Sequence, residues 1–227
     1  LDAPEGIRPL ALYEWAQGGK FSDALDRDVA FRIGALFAEL HLIGRDFRPS
    51  RPHSLMARAV APENLPWLLD LVQDRPDDIR DYTRLFETMT ARFAEIAKMG
   101  LPHGACHGDF HSSNVHVDVG GNPTFLDFDG CGTDYYLQDV VNFVFGNEFY
   151  RFDPLFGEAF VSGYQSVRPF TAAETELFDF FLLAKMMRLV SGLARNINSV
   201  GHGVLRYRDL DWFSTAIGQR ARALGLL

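Results

Sequence analysis

Three side chains in the middle of the chain have the types and spacing that phosphoryl transfer requires. Asp109 and Asn114 stand five residues apart within Cys106-His107-Gly108-Asp109-Phe110-His111-Ser112-Ser113-Asn114, and a second carboxylate follows in Asp127-Phe128-Asp129. Passing a phosphoryl group to a hydroxyl takes an oriented nucleophile and positive charge over the phosphates, with little covalent help from the protein. Asp109 can accept the hydroxyl's proton. Asn114 and Asp127 offer hard oxygen ligands of the kind Mg2+ prefers. None of the three is informative alone. Their order, with a hairpin between the second and the third, carries the chemistry.

Short strands must position them. Val115, Val117 and Val119 alternate with His116 and Asp118, Gly120-Gly121-Asn122-Pro123 has turn chemistry, and Thr124 to Phe128 returns as a second strand. This hairpin brings Asn114 and Asp127 to the same end. The rest of the chain reads as mostly helical. A helix from about Ser22 carries Val29, Ile33, Leu36, Leu40 and Ile43 at helical spacing and closes at Gly44, with His41 beside the stripe as a structural histidine. Residues 45–66 are irregular, with four prolines and a helical piece near Leu55–Val60. A short helix follows at Trp67–Val72. Pro76-Asp77-Asp78 opens a long one with Ile79, Tyr82, Phe86, Met89, Phe93 and Ile96 as its buried stripe, and Gly100-Leu101-Pro102 stops it.

Beyond the link Gly130-Cys131-Gly132, helices are expected over Leu137–Phe145 and Pro154–Tyr164. Thr171-Ala172-Ala173-Glu174 is a capping box opening a helix to about Asn196, apolar almost all round and so buried at the centre of a bundle. A last helix spans about Asp209–Ala223. Upstream, Ile7–Trp15 reads as a strand broken by Gln17-Gly18-Gly19. A lone strand has no partner, so a segment is expected before Leu1. The fold class is α+β, predominantly helical.

The chain's 227 residues suit one large domain or two small ones. Twenty phenylalanines promise an aromatic core. A net charge of −8 disfavours nucleic acid as a partner. Its distribution is more telling: residues 106–160 hold nine acids and one base, residues 181–227 seven bases and two acids. The acidic segment calls for cations, a divalent metal being the simplest. The basic tail either neutralises that segment or serves a ligand. Arg188, Arg195, Arg206 and Arg208 suit an acidic acceptor or partner as well as a solvated face. No run reaches membrane-span length, no signal peptide is visible, and Cys106 and Cys131 do not form a disulfide framework, so a cytoplasmic protein without a membrane partner is expected.

His107-Gly108-Asp109-Phe110-His111-Ser112-Ser113-Asn114 followed by Phe125-Leu126-Asp127-Phe128-Asp129 resembles the aminoglycoside phosphotransferase/choline kinase group. Protein kinases share the order of its catalytic Asp, Asn and metal-binding Asp. Asp127-Phe128-Asp129 and the Leu183–Leu193 segment are most similar to the homoserine-kinase-like and bacterial stress-response-kinase branch. The likeness runs from about Leu10 to Ala194 and is strong over 106–140. It implies a protein-kinase-like large lobe, residues 19–227, with a catalytic loop at 106–114 and a metal-binding segment at 125–129. Residues 1–18 would be the end of a small lobe and its hinge, where the backbone of Glu14 and Ala16 meets adenine. It further implies Asp109 as base, His111 near the transferred phosphate, Asn114 and Asp127 as Mg2+ ligands, His107 as a loop organiser and Asp139 as a buried brace. The activity implied is ATP-dependent phosphorylation of a small molecule bearing a hydroxyl: an amino alcohol, an aminoglycoside or a homoserine-like compound.

No lysine precedes Gly18 to pair the phosphates, and no phosphate-covering loop is present, so the chain is expected to be a large lobe with the end of a small one. Two other functions stay open on the residues: a Ser/Thr protein kinase, or a nucleotide-binding scaffold without turnover. His103, His107, His111 and His116 raise zinc, but Gly104 and Gly108 break the helix that would align them. Cys106 and Cys131 read as buried inert thiols before they read as redox sensors. Asp118, Asp134, Glu148 and Asp153 read as surface or capping acids, and Asp129 as a metal aid, an acceptor contact or a turn cap.

Overall fold

Helix α1 (Arg27–Ile43) and helix α5 (Pro154–Val167) cross with their backbones nearly touching, because each has a glycine at the crossing. A Cβ on Gly34 would lie 2.0 Å from the Phe160 carbonyl oxygen, and one on Gly163 would lie 1.9 Å from that of Phe31. The computed structural model describes residues 2–3, 6–7, 12, 14–47, 59–200, 205 and 207–227. Among them the remaining helices are α2 (Leu65–Leu71), α3 (Pro76–Ile96), α4 (Tyr136–Phe149), α6 (Ala172–Val200) and α7 (Leu210–Ala223).

The strands are short and serve the loop. β1 (Asp2–Ala3) pairs with β2 (Gly6–Ile7), both antiparallel and outside the main body of strands. β3 (Gly19–Lys20), β5 (Val115–Val117) and β6 (Pro123–Phe125) form one antiparallel sheet in the order β3-β5-β6, with Val115 opposite Phe125. β4 (His103–Cys106) pairs antiparallel with β7 (Gly132–Tyr135), Cys106 opposite Gly132. The segment 106–114 therefore leaves one sheet at Cys106 and enters another at Val115.

Two cores meet on α4. The larger joins α2, α3, α6 and α7, with Leu68, Leu85, Met89, Phe181, Met187 and Phe213 fully buried. The smaller is aromatic: Phe37 of α1 stacks on Phe110 at 3.8 Å between centroids, and Phe143 of α4 stacks on Phe160 of α5 at 4.0 Å. Burying a phenylalanine contributes roughly 1.5–3 kcal/mol. Phe110 thus anchors the middle of the loop to the core while its neighbours stay outside.

Most expected helices form, and their caps explain why. Asp26, Asp153 and Asp209 each accept a backbone N–H at the start of α1, α5 and α7. The Thr171–Glu174 box closes reciprocally, Thr171 N to Glu174 Oε2 at 2.9 Å and Glu174 N to Thr171 Oγ1 at 3.2 Å. Several expectations need correction. The first helix starts at Arg27, after a 3-10 turn at Phe21–Asp23. Its buried face is Ala30, Ile33, Gly34, Phe37, Ala38 and His41, while Leu36 and Ile43 are exposed. Apolar residues surround this helix, and close glycine contact with α5 decides which side goes inward. Strand β6 stops at Phe125, not Phe128, and Val119 is fully exposed beyond β5. No strand is expected at β4, and β7 begins within the expected link Gly130-Cys131-Gly132; both are strands. The strand expected at Ile7–Trp15 falls largely on residues outside those described, and Glu14–Gln17 carry no regular structure. The helical piece at Leu55–Val60 also lies mostly outside the described residues.

Gly163→Ala forces a methyl against the Phe31 carbonyl. The expected result is a loss of about 1–3 kcal/mol and a fall in Tm of roughly 3–9 °C by circular dichroism. A variant as stable as the parent would mean that the helices separate freely.

Candidate active site

The site is built on a carboxylate that lies beneath it. Asp139, in the first turn of α4, is fully buried. Its Oδ2 accepts from the His107 amide at 2.6 Å and its Oδ1 from the Gly108 amide at 2.8 Å. His41 Nε2, from α1, lies 3.2 Å from the same Oδ2. A carboxylate only accepts, so Nε2 carries a hydrogen. Asn142, one turn along α4, donates to the Gly108 carbonyl at 3.1 Å. Burial by itself raises the Asp139 carboxyl. The hydrogen bonds from His41 and the Gly108 amide outweigh it and hold the group below the usual carboxylate range.

The support continues outward. His41 Nδ1 is 2.7 Å from the Tyr164 hydroxyl, which also accepts from Arg168 at 3.3 Å. Arg168 in turn donates to Glu174 Oε1 at 2.8 Å. A line of hydrogen bonds therefore joins the capping box of α6 to the amides of the loop. Burial also keeps the Tyr164 phenol protonated, its pKa well above the ordinary value.

On this base the loop turns its chemistry outward. Gly108 takes φ +87°, a conformation that suits glycine. Phe110 points into the aromatic core, and Asp109 keeps 53% of its side chain exposed. His107 donates from Nε2 to the Leu126 carbonyl at 2.8 Å and accepts the Asp109 amide at Nδ1, 3.4 Å away. This imidazole ties the loop to the return strand of the hairpin. His111 accepts the Ser113 amide at Nδ1, 3.3 Å, capping a 3-10 turn, and its Nε2 lies 3.9 Å from Asp109 Oδ2. Burial lowers the His111 imidazole pKa, and the pull of Asp109 in the other direction does not restore it.

Asn114 Nδ2 donates to the Asp109 carbonyl at 3.0 Å, so the amide oxygen is the atom left for a ligand. The Leu126 amide donates to the Asn114 carbonyl at 2.9 Å, which places Asn114 and Asp127 at the same end of the hairpin. Asp127 is exposed and left-handed at φ 63°, ψ 59°. A non-glycine residue there costs of order 1–3 kcal/mol and is typical of functional turns. Its carboxylate has no hydrogen bond or ion pair among the described residues. Two hard oxygens at adjoining hairpin ends, with the amide nitrogen turned away, fit a divalent cation such as Mg2+.

Sequence reading missed Lys185. Its Nζ lies 3.1 Å from Asp109 Oδ1, reaching out of the middle of α6 with only 8% of the residue exposed. A lone lysine in Phe180–Met187, an otherwise apolar run, was the signal available. Burial, with the nearby Arg188, pulls its ammonium down to about 8 against the pull of Asp109. Burial raises the Asp109 carboxyl, but Lys185 and then His111 overcome it and leave the group below its ordinary value. Arg188, one turn further, donates to the Gly108 carbonyl at 3.2 Å.

The other expected residues are placed as follows. Glu14 is exposed and Ala16 half-buried in the irregular lead into β3, and no hydrogen bond or ion pair joins Glu14 to the loop. The four histidines that raised zinc are separated: His103 bonds the Leu101 carbonyl, and His107 and His111 are engaged as above. Among the described residues one group of three His, Cys, Asp or Glu side chains has its ligand atoms close enough to share an ion: His41, Cys106 and Asp139. All three are buried and hydrogen-bonded within the protein, and burial raises the Cys106 thiol well above its usual value, which opposes the thiolate a soft metal needs. Cys131, expected to be buried, is exposed. Asp118 accepts the Gly120 and Asn122 amides as a turn cap, whereas Asp134 is buried. Arg206 lies outside the described residues. No helix among them is long and apolar enough to cross a membrane.

The model of the phosphotransferase enzyme family matches residues 1–178, spanning loop and hairpin alike. The chain belongs to this family. It is 31% identical over 189 residues to a homoserine kinase of Acidiphilium cryptum, a match that covers 80% of the chain and 57% of that relative. The chain spans about half the length of the curated relatives it matches. The structure of a microcompartment-associated aminopropanol kinase superposes with a TM-score of 0.69 at 20% identity, over 100% of this chain and 76% of that one. An amicoumacin kinase in complex with AMP-PNP, Ca2+ and Ami gives 0.67 at 18% identity, over 92% and 64%. At these identities the structures establish the fold: a predominantly helical α+β architecture of this family over most of the chain.

Two measurements test the support. Asp139→Asn leaves an amide NH2 facing one of the two loop amides. It is expected to cost about 3 kcal/mol and to lower Tm by roughly 6–12 °C at neutral pH. Because the folded Asp139 pKa lies below its unfolded value near 3.9, this contribution is full above about pH 5 and fades as pH falls through the folded value. The gap between parent and variant in denaturant titrations should therefore close in acid. In Lys185→Met, Asp109 loses its main cationic neighbour and should titrate at higher pH by carbon-detected NMR. An unmoved Asp109 would show that the Lys185 contact is absent in solution.

Proposed function

We propose that the full-length protein transfers the γ-phosphoryl group of ATP to a hydroxyl of a small molecule, with Asp109 as the general base. The observation that carries this is the joint placement of three features. A half-exposed Asp109 is held by Lys185, Asn114 and Asp127 present hard oxygens at one end of the hairpin, and the loop that carries Asp109 and Asn114 is fixed by Asp139.

In this reading the acceptor hydroxyl donates to Asp109. Its oxygen forms a bond to the γ-phosphorus as the bond to the nucleoside diphosphate breaks, and its proton passes to the Asp109 carboxylate. Lys185 holds the carboxylate in one orientation and keeps it ionised, so that it is ready to accept. His111, on the other carboxylate oxygen, presents a further N–H beside the site. Asn114 and Asp127 would hold Mg2+, which would supply charge to the phosphate oxygens. Preorganisation of this kind is the main resource for phosphoryl transfer. The segment before β3, with Glu14 and Ala16, is assigned to the hinge and the adenine, and residues 1–18 to the end of a small lobe. Family membership supports the reaction class. The homoserine kinase and aminopropanol kinase relatives favour a small hydroxyl acceptor over a protein.

Asp109→Asn in the full-length protein is expected to lower kcat by roughly 10²–10⁴-fold, with ATP binding by calorimetry changed less than a few-fold. Turnover like that of the parent would remove Asp109 from the mechanism.

A further inference from the structure

The cavity beside Asp109 and Lys185 belongs to the site already described. A larger one, about 900 Å³, opens between α4 and α5 near the turn that joins them. α4 lines it with Val144 and Asn147, and α5 with Gly157 and Val161. Each pair is spaced by three or four residues and so lies on one helix face. Phe152, from the turn, and Phe178 of α6 add aromatic rings. Asp109, His111, Asn114 and Asp127 are not in the lining, so this cavity is separate from the phosphotransfer site.

Its polar groups make it more than an apolar gap. Asn147 is 2% exposed, and neither its Oδ1 nor its Nδ2 has a hydrogen-bond partner in the protein. A buried carboxamide in that state is destabilising, which few native side chains tolerate without a use. A Cβ on Gly157 would lie 3.4 Å from Nδ2 and 3.7 Å from the Val144 methyls. The amide therefore faces α5 where that helix offers no side chain. Arg208 also lines the cavity. It is held by the Glu148 carbonyl and lies over the Trp212 ring, 4.6 Å from its centre, while its buried Nε has no partner. Arg151 is exposed, and its side chain makes no hydrogen bond or ion pair among the described residues. Burial, and then the charge of this neighbouring Arg151, lower the Arg208 guanidinium, with Glu148 and Asp209 pulling the other way. Of the acids in the lining, Glu148 pairs with Arg220 and Glu158 is exposed on α5. Two guanidiniums against one uncommitted carboxylate favour an anion.

We propose that the cavity between α4 and α5 is a second ligand site, for a planar ring that carries a lactam edge and an acid group. The Asn147 carboxamide turns toward the lactam, whose N–H and C=O complement its own acceptor and donor. The ring packs on Phe152 and Phe178. The acid, a carboxylate or a phosphate, meets Arg151 and Arg208.

Four probes separate these contributions by calorimetry on the full-length protein, first saturated with AMP-PNP and Mg2+ so that no probe reports on the co-substrate site. Orotate has both lactam and carboxylate. It should bind about tenfold or more tighter than uracil, which lacks the acid, and benzoate, which lacks the lactam. UMP carries a phosphate instead, and whichever of UMP and orotate binds tighter identifies the acid. Asn147→Leu and Gly157→Ala should each weaken orotate about tenfold or more. Both should leave Tm level or raised, since one removes an unpaired polar group and the other a helix glycine. Arg151→Gln should weaken orotate about tenfold and leave uracil in place. In nitrogen-edited NMR the Asn147 side-chain NH2 signals should move with orotate and not with benzoate. Failure of both orotate and UMP to bind would overturn the site. Orotate binding unchanged by Asn147→Leu would place the probe elsewhere and overturn it too. A fall in Tm of several degrees in that variant would make the amide a structural group, with the same result.

Discussion

Two consecutive backbone amides, those of His107 and Gly108, must be satisfied where the loop passes over the core, and one buried carboxylate satisfies both. Much of the structure follows from that pairing. An isolated ionised carboxylate in such a place is costly, so it needs donors on every side. His41 reaches it from α1, and the turn of α4 that carries Asp139 also carries Asn142 to the Gly108 carbonyl. The loop is thus gripped on both its donors and its acceptor, and Asp109, the next residue, is aimed by backbone that has no freedom left. His41 needs Tyr164, Tyr164 meets Arg168, and Arg168 meets the Glu174 that caps α6. The same line of hydrogen bonds joins the helices and shapes the loop.

The second organising feature is alternation within the motif. Phe110 is stacked inside on Phe37, while the residues to either side face the site. An aromatic residue between two polar ones acts as a nail. It fixes the register of the loop, so that Asp109 meets Lys185 and His111 sits beside it. The same helix, α6, fills the larger core and supplies this lysine. A buried ammonium that leans on a half-exposed carboxylate holds both groups in place, and each alters the proton affinity of the other.

The charge imbalance between the middle of the chain and its end resolves in space. Arg220 pairs with Glu148 and Arg208 bonds the Glu148 carbonyl, while Arg222 pairs with Asp81. That part of the basic tail neutralises acids. Lys185, Arg188 and Arg195 have a different position, around Asp109 and the cavity beside it. Arginines of equal standing in the sequence divide into structural and site groups, because helices α6 and α7 face different neighbours.

Local patterns determined a good deal by themselves. The spacing of Asp109, Asn114 and Asp127, the turn at Gly120–Pro123, the caps at Asp153, Asp209 and Thr171–Glu174 and the buried stripe of α3 depend on residues near one another in the chain, so the sequence displays them directly. The polar brace at Asp139 was legible through resemblance, though its partners His41 and Tyr164 were not, since they come from distant helices. Only tertiary structure decided the inward face of α1, which rests on glycine contact with α5, and the pairing of β4 with β7, in which Gly104 and Gly132 give no alternating pattern. It also decided the value of Lys185. In sequence it is one lysine in an apolar run. Its meaning depends on a carboxylate 76 positions away, and no local rule of spacing reaches that far.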